Sequence, residues 1–347
     1  MAKRRGANLR IGLIAPPWLR VPPNGYGGIE RIVSALRSDF VELLGEGSVE
    51  AFTFECVPEL HRRIEGVAIG DEDVEEQYVA RAYEVLNDCD VISDHSLLGA
   101  TKVRTPGVPV VATMHGPMSA PFIQRYERMA SVGAHLIAVS SAQAAAVPFD
   151  ARLTVVPNGV NAKEYQLSRK QRSEALFLGR IHPEKAPHRA IAAARAANIP
   201  LTVAGPVRGR VEKEYFREFI APLLGSEAVY VGEVSGAYRT ALLASAKVLL
   251  APNWRSEPFG LVVVEALMAG TPVVASPFGA SMEAIVDGVN GYVVNNWDSG
   301  APAAIVESEK LSQYVCRESV CERFSSMVMA RGYADVFSEV CNTALME

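Results

Sequence analysis

No stretch of this sequence approaches the ~18 consecutive apolar residues that a membrane-crossing helix needs, so no span is expected. Paired cysteines are missing as well. The five thiols, at 56, 89, 316, 321 and 341, are odd in number and scattered, with no Cys-x-x-Cys, which argues against a disulfide framework and a zinc site. A reducing cytoplasm is the simplest compartment for unpaired thiols. Positive charge is scarce: 34 Lys and Arg against 39 Asp and Glu leave a net −5, without the broad basic face that nucleic-acid binding wants. His, Asp and Glu recur at no metal-ligand spacing, so no metal is expected. There is no Gly-x-Gly-x-x-Gly fingerprint, which makes a dinucleotide-dependent oxidoreductase the least favoured enzyme class. Solenoid-like repeats and low-complexity tracts are also lacking.

What is present is a chain of 347 residues, beyond the size at which one hydrophobic core usually keeps growing, so two domains are expected. Hydrophobic residues at 49% and charged ones at 21% fit a soluble globular protein. Lys3, Arg4, Arg5 and Arg10 precede Ile11–Ala15. That apolar run is too short for a signal peptide and ends in Pro16-Pro17, so it reads as a first buried strand behind a solvated basic leader. Four cations hold anionic lipid only modestly, which leaves peripheral membrane contact open rather than expected.

Short apolar, β-branched runs alternate with helical patterns, the signature of parallel, doubly wound α/β sheets. Strands are expected at Leu9–Ala15, Val49–Phe54, Asp90–Asp94, Val108–Thr113, Ala134–Val139 and Leu153–Val156, with helices over Ile29–Leu44, Asp73–Asn87 and from Met118. The second half supplies Ala175–Leu178, Leu201–Gly205, Val229–Val234 and Val248–Ala251, then a terminal helix over Phe324–Met346. The polar stretch Lys163–Ser173 marks the boundary. Arg208, Arg210, Lys213 and Arg217 alternate with acids and read as a solvated face.

Ligands in such sheets gather beyond the carboxyl ends of strands. There the chain has Gly25-Tyr26-Gly27-Gly28-Ile29-Glu30, a glycine-rich loop entering a helix; Ser93-Asp94-His95-Ser96; Thr113-Met114-His115-Gly116; and Gly179-Arg180 through Lys185. Glycines admit close backbone approach, a histidine can serve as hydrogen-bonding group or acid–base, and two cations suit a diphosphate. His61, His135 and His188 are read as structural. The densest stretch runs Glu257-Pro258-Phe259-Gly260-Leu261 to Glu265, then Gly270-Thr271-Pro272-Val273-Val274. Pro258 suits a helix start and Gly270 a left-handed helix end. Amides of Phe259, Gly260 and Leu261 would offer an anion site between two carboxylates. Taken alone, the two glutamates are equally explained as solvated acids near a helix N-terminus.

The phrase S-E-P-F-G-L-x-x-x-E-A-x-x-x-G-T-P-V-V resembles the donor-site signature of family 4 glycosyltransferases, retaining enzymes of GT-B fold with two Rossmann-like domains facing a cleft. The resemblance implies that Glu257 contacts donor-sugar hydroxyls and Glu265 the ribose. G-R-I-x-x-E-K matches the family's diphosphate clamp and assigns it to Arg180 and Lys185. The family has glycine after that lysine; Ala186 stands there, which argues against a left-handed backbone angle. Y-G-G-I-E-R is similar to a cleft loop, which places Gly27 and Gly28 near the donor phosphate and Tyr26 and Glu30 on the acceptor side. His115 falls where the family has a histidine close to the transferred sugar, and D-H-S-L-L around His95 resembles an acceptor-side loop. Val231 and Gly232 match a turn whose backbone meets the nucleotide base. V-x-N-G-V at 156–160, G-x-x-x-E and D-G-x-x-G extend the match over almost the whole chain.

The resemblance therefore implies an acceptor-side domain over 1–165, a nucleotide-sugar domain over 166–325, and a helix over 326–347 crossing back to the first. It implies a hexosyltransferase-like enzyme taking a nucleotide sugar, most simply UDP-linked, and an acceptor hydroxyl, with no cofactor and no metal. Arg180, Lys185, Glu257 and His115 carry the chemistry, and no protein nucleophile is nominated. A non-catalytic sugar-nucleotide-binding subunit, and a GT-B epimerase or phosphorylase, are the alternatives. The acceptor is open among lipid, polysaccharide and secondary metabolite, with a lean toward a small soluble molecule. Oligomeric state is open too.

Overall fold

The apolar runs at the carboxyl ends of which the candidate residues lie are strands, wholly buried except for the one before Val231 and Gly232, where Val229 is exposed. The computed structural model describes residues 9–60, 70–102, 107–168, 172–255, 257–279 and 281–344. Lys3, Arg4 and Arg5 of the basic leader, His61, Arg169 and Lys170, Ser256, Ala280 and Met346 lie outside the described residues. The chain divides into two units: residues 1–23, 27–158 and 326–347, and residues 24–26 and 159–325.

In the first unit the strands are β1 (Ile11–Ile14), β2 (Val49–Phe52), β3 (Val91–Asp94), β4 (Val110–Met114), β5 (His135–Ala138) and β6 (Leu153–Val155). They pair in the order β2-β1-β3-β4-β5-β6, all parallel, with Ile11 opposite both Val49 and Val91. Strand order reverses between β1 and β3, so their trailing loops diverge and open a crevice. Helices α1 (Gly28–Leu44), α2 (Glu72–Val85), α3 (Gly99–Lys102), α4 (Ala120–Ser131) and α5 (Ser141–Ala145) connect the strands. Ser140 caps α5 by accepting from the Gln143 N–H.

The second unit repeats the device. Its strands are β7 (Ala175–Leu178), β8 (Leu201–Ala204), β9 (Ala228–Tyr230), β10 (Val248–Ala251), β11 (Val273–Ala275) and β12 (Gly291–Val293). The order β12-β11-β10-β7-β8-β9 is the doubly wound one, again wholly parallel, with its reversal between β7 and β10. Helices α6 (Pro187–Ala196), α7 (Gly209–Tyr215), α8 (Gly236–Ser245), α9 (Leu261–Met268), α10 (Ser281–Ala284), α11 (Trp297–Ser308) and α12 (Gln313–Phe324) complete it. No helix among the described residues is long and apolar enough to cross a membrane.

Local structure departs from the sequence reading at several points. The helix after β10 begins at Leu261, not Pro258, because Gly260 is left-handed (φ 85°, ψ 57°) and Phe259 turns into the core against Phe324. The terminal helix, α13 (Ser326–Ala344), forms as expected but starts two residues later, after an extended Ser325 that bridges Val160 and separates it from α12. The stretch bearing Arg210, Lys213 and Arg217 passes from the short α7 through a π turn over Phe216–Ile220 to a 3₁₀ turn. Strand β12 and helices α11 and α12 had no distinct sequence signal.

In the first unit α13 lies on α1, with the rings of Tyr333 and Phe337 against Phe40 at 6.4 and 5.6 Å. Helix α2 does more than cover the sheet. Tyr83 donates to Asp94 Oδ2 at 2.8 Å, and Glu75 Oε1 accepts the Leu97 N–H at 2.6 Å, so two buried carboxylates pin the turn after β3. A Cβ on Gly99 would lie 1.8 Å from Asp94 Oδ2, which explains glycine there. Burial pushes the Glu75 carboxyl up to about 7, against hydrogen bonds from Leu97 and Leu98 that favour the anion. The folded state therefore holds a proton that the unfolded chain releases near 4.5. Stability from this group is complete below that value and is lost as pH rises to about 7, by up to ~3 kcal/mol. Glu75→Gln should flatten this fall in urea-unfolding midpoints measured from pH 4.5 to 7.5; an unchanged slope refutes the assignment.

Candidate functional site

Reversal of strand order in the second unit brings the loops after β7 and β10 side by side. After β7 the chain passes Arg180 and enters a 3₁₀ turn, Pro183–Lys185, which His182 caps by accepting the Glu184 N–H at 3.3 Å. Ala186 closes it in the left-handed region (φ 50°, ψ 48°), contrary to the expectation from its side chain. Its N–H bonds to both His182 and Pro183 carbonyls at 3.1 Å, contacts that offset the ~1–2 kcal/mol such an angle costs. From the other loop, the Trp254 N–H donates to the Glu184 carbonyl at 3.2 Å, joining the two.

This junction places Lys185 Nζ in a short ion pair with Glu257 Oε1, while Asn253 Nδ2 donates to Glu257 Oε2 at 2.6 Å. The two charges, treated separately in the sequence, form one partly buried unit. Gly279 approaches the Glu257 backbone so closely that a Cβ would lie 2.0 Å from its carbonyl oxygen, which gives the G-x-x-x-E glycine a role in seating that loop. Among the described residues, the N–H groups of Phe259, Gly260 and Leu261 meet no backbone acceptor. Phe259 contributes only its backbone, since the ring is core. A cation, a carboxylate and unspent amides thus stand together at the head of α9.

Arg180 Nη1 donates to Glu212 Oε1 at 3.1 Å, and Glu212 Oε2 accepts the Arg208 N–H at 2.5 Å. Arg208 in turn grips both oxygens of Glu233 at 2.8 and 3.0 Å, so it is not part of a merely solvated face. Arg210 and Arg217 do fit that reading, paired with Glu214 and Glu218 in solvent. Glu233 Oε1 also accepts the Tyr26 N–H at 2.8 Å, and a Cβ on Gly25 would collide with it at 2.4 Å. Residues 24–26 accordingly belong with this second unit, not with the acceptor-side unit expected for Tyr26. Val231 and Gly232 sit in the turn after β9. The Val231 N–H is spent on Val203 O and the Gly232 carbonyl on Gly205 N–H, leaving the Val231 carbonyl and Gly232 N–H.

Glu265 is 2% exposed on α9, held by both Nη atoms of Arg239 and by the Tyr165 hydroxyl at 2.9 Å. Burial works against the charge on Arg239, but the attraction and hydrogen bonds of Glu265, with Tyr165, outweigh it and leave its pKa raised. Neither Arg239 nor Tyr165 was singled out in the sequence. One arginine on a helix of Ala and Leu is the only trace, and its partner lies 26 positions away.

In the first unit His95 follows β3 and His115 follows β4. Their rings join through His95 Nδ1 and His115 Nε2 at 2.8 Å, stacked with centroids 5.1 Å apart. His95 is 1% exposed, its Nε2 meets Ser93 Oγ at 3.2 Å, and Tyr333 stacks on it at 5.8 Å. It therefore cannot face an acceptor directly, and His115, partly exposed, is the outer member. Burial lowers both imidazoles, His115 to about 3, so the pair is neutral at pH 7. Gly27 and Gly28 open α1, and a Cβ on Gly27 would lie 2.8 Å from Glu30 Oε2. Glu30 is buried beneath that turn rather than presented outward, and burial raises its carboxyl to about 6. His135 and His188 are structural, bonded to Thr154 Oγ1 at 2.8 Å and the Tyr215 hydroxyl at 2.5 Å. Among the described residues one set of acids has metal-ligand proximity, Glu50, Asp88 and Cys89, but the Arg10 guanidinium already sits on Asp88 at 2.8 Å and Glu50 at 3.4 Å.

Comparison with known proteins matches residues 161–312 to the family profile "Glycosyl transferases group 1" and residues 48–164 to "Glycosyltransferase Family 4". The phosphatidyl-myo-inositol mannosyltransferase of Mycobacterium leprae is 30% identical over 328 residues, 87% of this chain and 78% of that protein. The crystal structure of AviGT4, a glycosyltransferase involved in avilamycin A biosynthesis, superposes with a TM-score of 0.71 at 26% identity, covering 96% of this chain and 98% of that one. Sucrose-phosphate synthase from Thermosynechococcus elongatus shares the fold, with a TM-score of 0.76 at 19% identity and coverage of 96% and 100%.

Arg239→Met leaves Glu265 buried without its counter-charge. The expected loss is about 3–5 kcal/mol of stability, read as a lower denaturation midpoint, whereas a double change to Met and Gln at 239 and 265 should recover much of it.

Proposed function

The chain belongs to the family 4 glycosyltransferases, of GT-B fold, and we propose that it moves a sugar from a nucleotide-sugar donor, most simply UDP-linked, to an acceptor hydroxyl with retention at the anomeric carbon and without a divalent metal. The observation that carries this reading is the Lys185–Glu257 pair set beside the unspent amides of Phe259, Gly260 and Leu261. In the free chain the two charges neutralise each other. A diphosphate would draw the ammonium to its own oxygens and release a Glu257 oxygen to accept from a sugar hydroxyl. One binding event would then assemble both halves of the grip.

Transfer breaks the bond from the anomeric carbon to the diphosphate oxygen and forms one to the acceptor oxygen, whose proton passes to the departing diphosphate. Negative charge grows on the leaving diphosphate. Arg180, Lys185 and the helix-end amides favour that charge more than they favour the bound donor, which is what lowers the barrier. Glu265, oriented by Arg239 and Tyr165, is the acceptor for ribose hydroxyls. The Val231 carbonyl and Gly232 N–H, an acceptor beside a donor, suit the edge of a base. His115 contributes a neutral imidazole to the transferred sugar. For the acceptor, the likeness to AviGT4, a glycosyltransferase involved in avilamycin A biosynthesis, favours a secondary-metabolite hydroxyl, and the unpaired thiols fit a cytoplasmic setting.

The test is a transfer assay over a panel of nucleotide sugars and small acceptors, followed by mass spectrometry, with and without EDTA. We expect transfer from one uridine diphosphate sugar, insensitive to EDTA, and a loss of about 10²–10³ in kcat for Lys185→Ala. Donor binding with neither transfer nor acceptor-dependent release of nucleoside diphosphate would overturn the enzyme in favour of a binding subunit. Release by inorganic phosphate alone would indicate a phosphorylase.

A further inference from the structure

We propose that His95 and Ser93 are positioning residues that lock His115 in the tautomer carrying its proton on Nδ1, so that His115 meets its ligand as a hydrogen-bond donor. The proposal rests on the transferase reading only for the identity of that ligand, a donor-sugar oxygen. The chain Ser93 Oγ, His95 Nε2, His95 Nδ1, His115 Nε2 is continuous, with separations of 3.2 and 2.8 Å across its two hydrogen bonds. Two neutral rings carry two N–H protons, and the contact between them takes one. The second lies either on His95 Nε2, donated to Ser93, or on His115 Nδ1.

Ser93 decides between the two. It lies in β3, fully buried, and among the described residues its hydroxyl has no hydrogen-bond partner other than His95. Were it to accept from His95, its own O–H would be left buried and unmet, a cost of about 1–3 kcal/mol. Donation satisfies it. His95 Nε2 then accepts, His95 Nδ1–H donates to His115 Nε2, and the proton of His115 stands on Nδ1. Three features keep the rings in register: the stack of His95 on Tyr333, the bond between the Tyr333 hydroxyl and Thr113 Oγ1 at 2.9 Å, and the His95–His115 stack. The C-terminal helix thus supplies one wall of the pair, from a residue that no motif singled out. His95, fully enclosed, acts through His115 and touches no ligand.

Long-range proton–nitrogen correlation spectra of the histidine-labelled full chain read the tautomer directly. The sequence has six histidines, so His115→Asn assigns its signals by loss. At pH 7 the wild type should show His115 protonated at Nδ1 and bare at Nε2. His95→Phe, which keeps a ring against Tyr333, should give a tautomer mixture at His115 and a roughly tenfold lower kcat/KM for transfer. Ser93→Ala should give the mixture with a smaller loss. His95→Asn, whose amide can still donate to His115 Nε2, should restore the single tautomer, and Tyr333→Phe should leave it unchanged. A wild-type His115 protonated at Nε2, or an unaltered tautomer in both His95→Phe and Ser93→Ala, overturns the proposal. The spectra need no substrate, so they decide this point even where the transfer assay refutes the proposed reaction.

Discussion

The ion pair between Lys185 and Glu257 is the constraint around which the second unit is arranged. It can form only because strand order reverses between β7 and β10, setting two loops 72 positions apart in sequence next to each other. Each loop is prepared for the encounter on its own side. A left-handed Ala186 and a histidine cap shape the turn that carries Lys185; Asn253 and the close approach of Gly279 shape the one that carries Glu257. The pair is partly buried, where attraction between charges is less screened than at the surface.

Helix α9 extends the same logic. Its head presents amides because Gly260 is left-handed, and its tail is tied down by cations from elsewhere in the unit. Arg317 donates to the Met268 carbonyl at 3.0 Å and Arg172 to the Gly270 carbonyl at 2.6 Å, meeting acceptors that a helix leaves open at its end. Between them Glu265 is fixed by Arg239 and Tyr165. Only eight residues long, the helix is held at its head, middle and tail, which suits an element that aims side chains.

The first unit positions its histidines by different means. Its carboxylates Asp94 and Glu75 are buried to hold backbone N–H groups of the turn after β3, and the histidine pair rests on the ring of Tyr333. Burial makes these acids weak and these imidazoles neutral. The first unit is therefore furnished with hydrogen bonds and the second with charge, each on its own parallel sheet.

Spacing read directly from the chain was enough for the parallel α/β class and for the places where most strands end, because burial periodicity and glycine–proline punctuation are local properties, whereas Arg180, Lys185, Glu257 and Glu265 were picked out by family resemblance. Partners were not legible. Arg239 with Glu265, Glu233 with Tyr26, and Tyr333 with His95 are separated by 26, 207 and 238 positions, and nothing local distinguishes them from solvent-facing residues. Helix boundaries near Pro258 and Ser325 were also set from afar, by a ring that had to be buried and a bridge to Val160. The sequence by itself determined most of the strands and which candidate residues stand at their ends. Only the tertiary structure decided which charges meet and which nitrogen carries a proton, since those depend on distances that exist once the strands have paired.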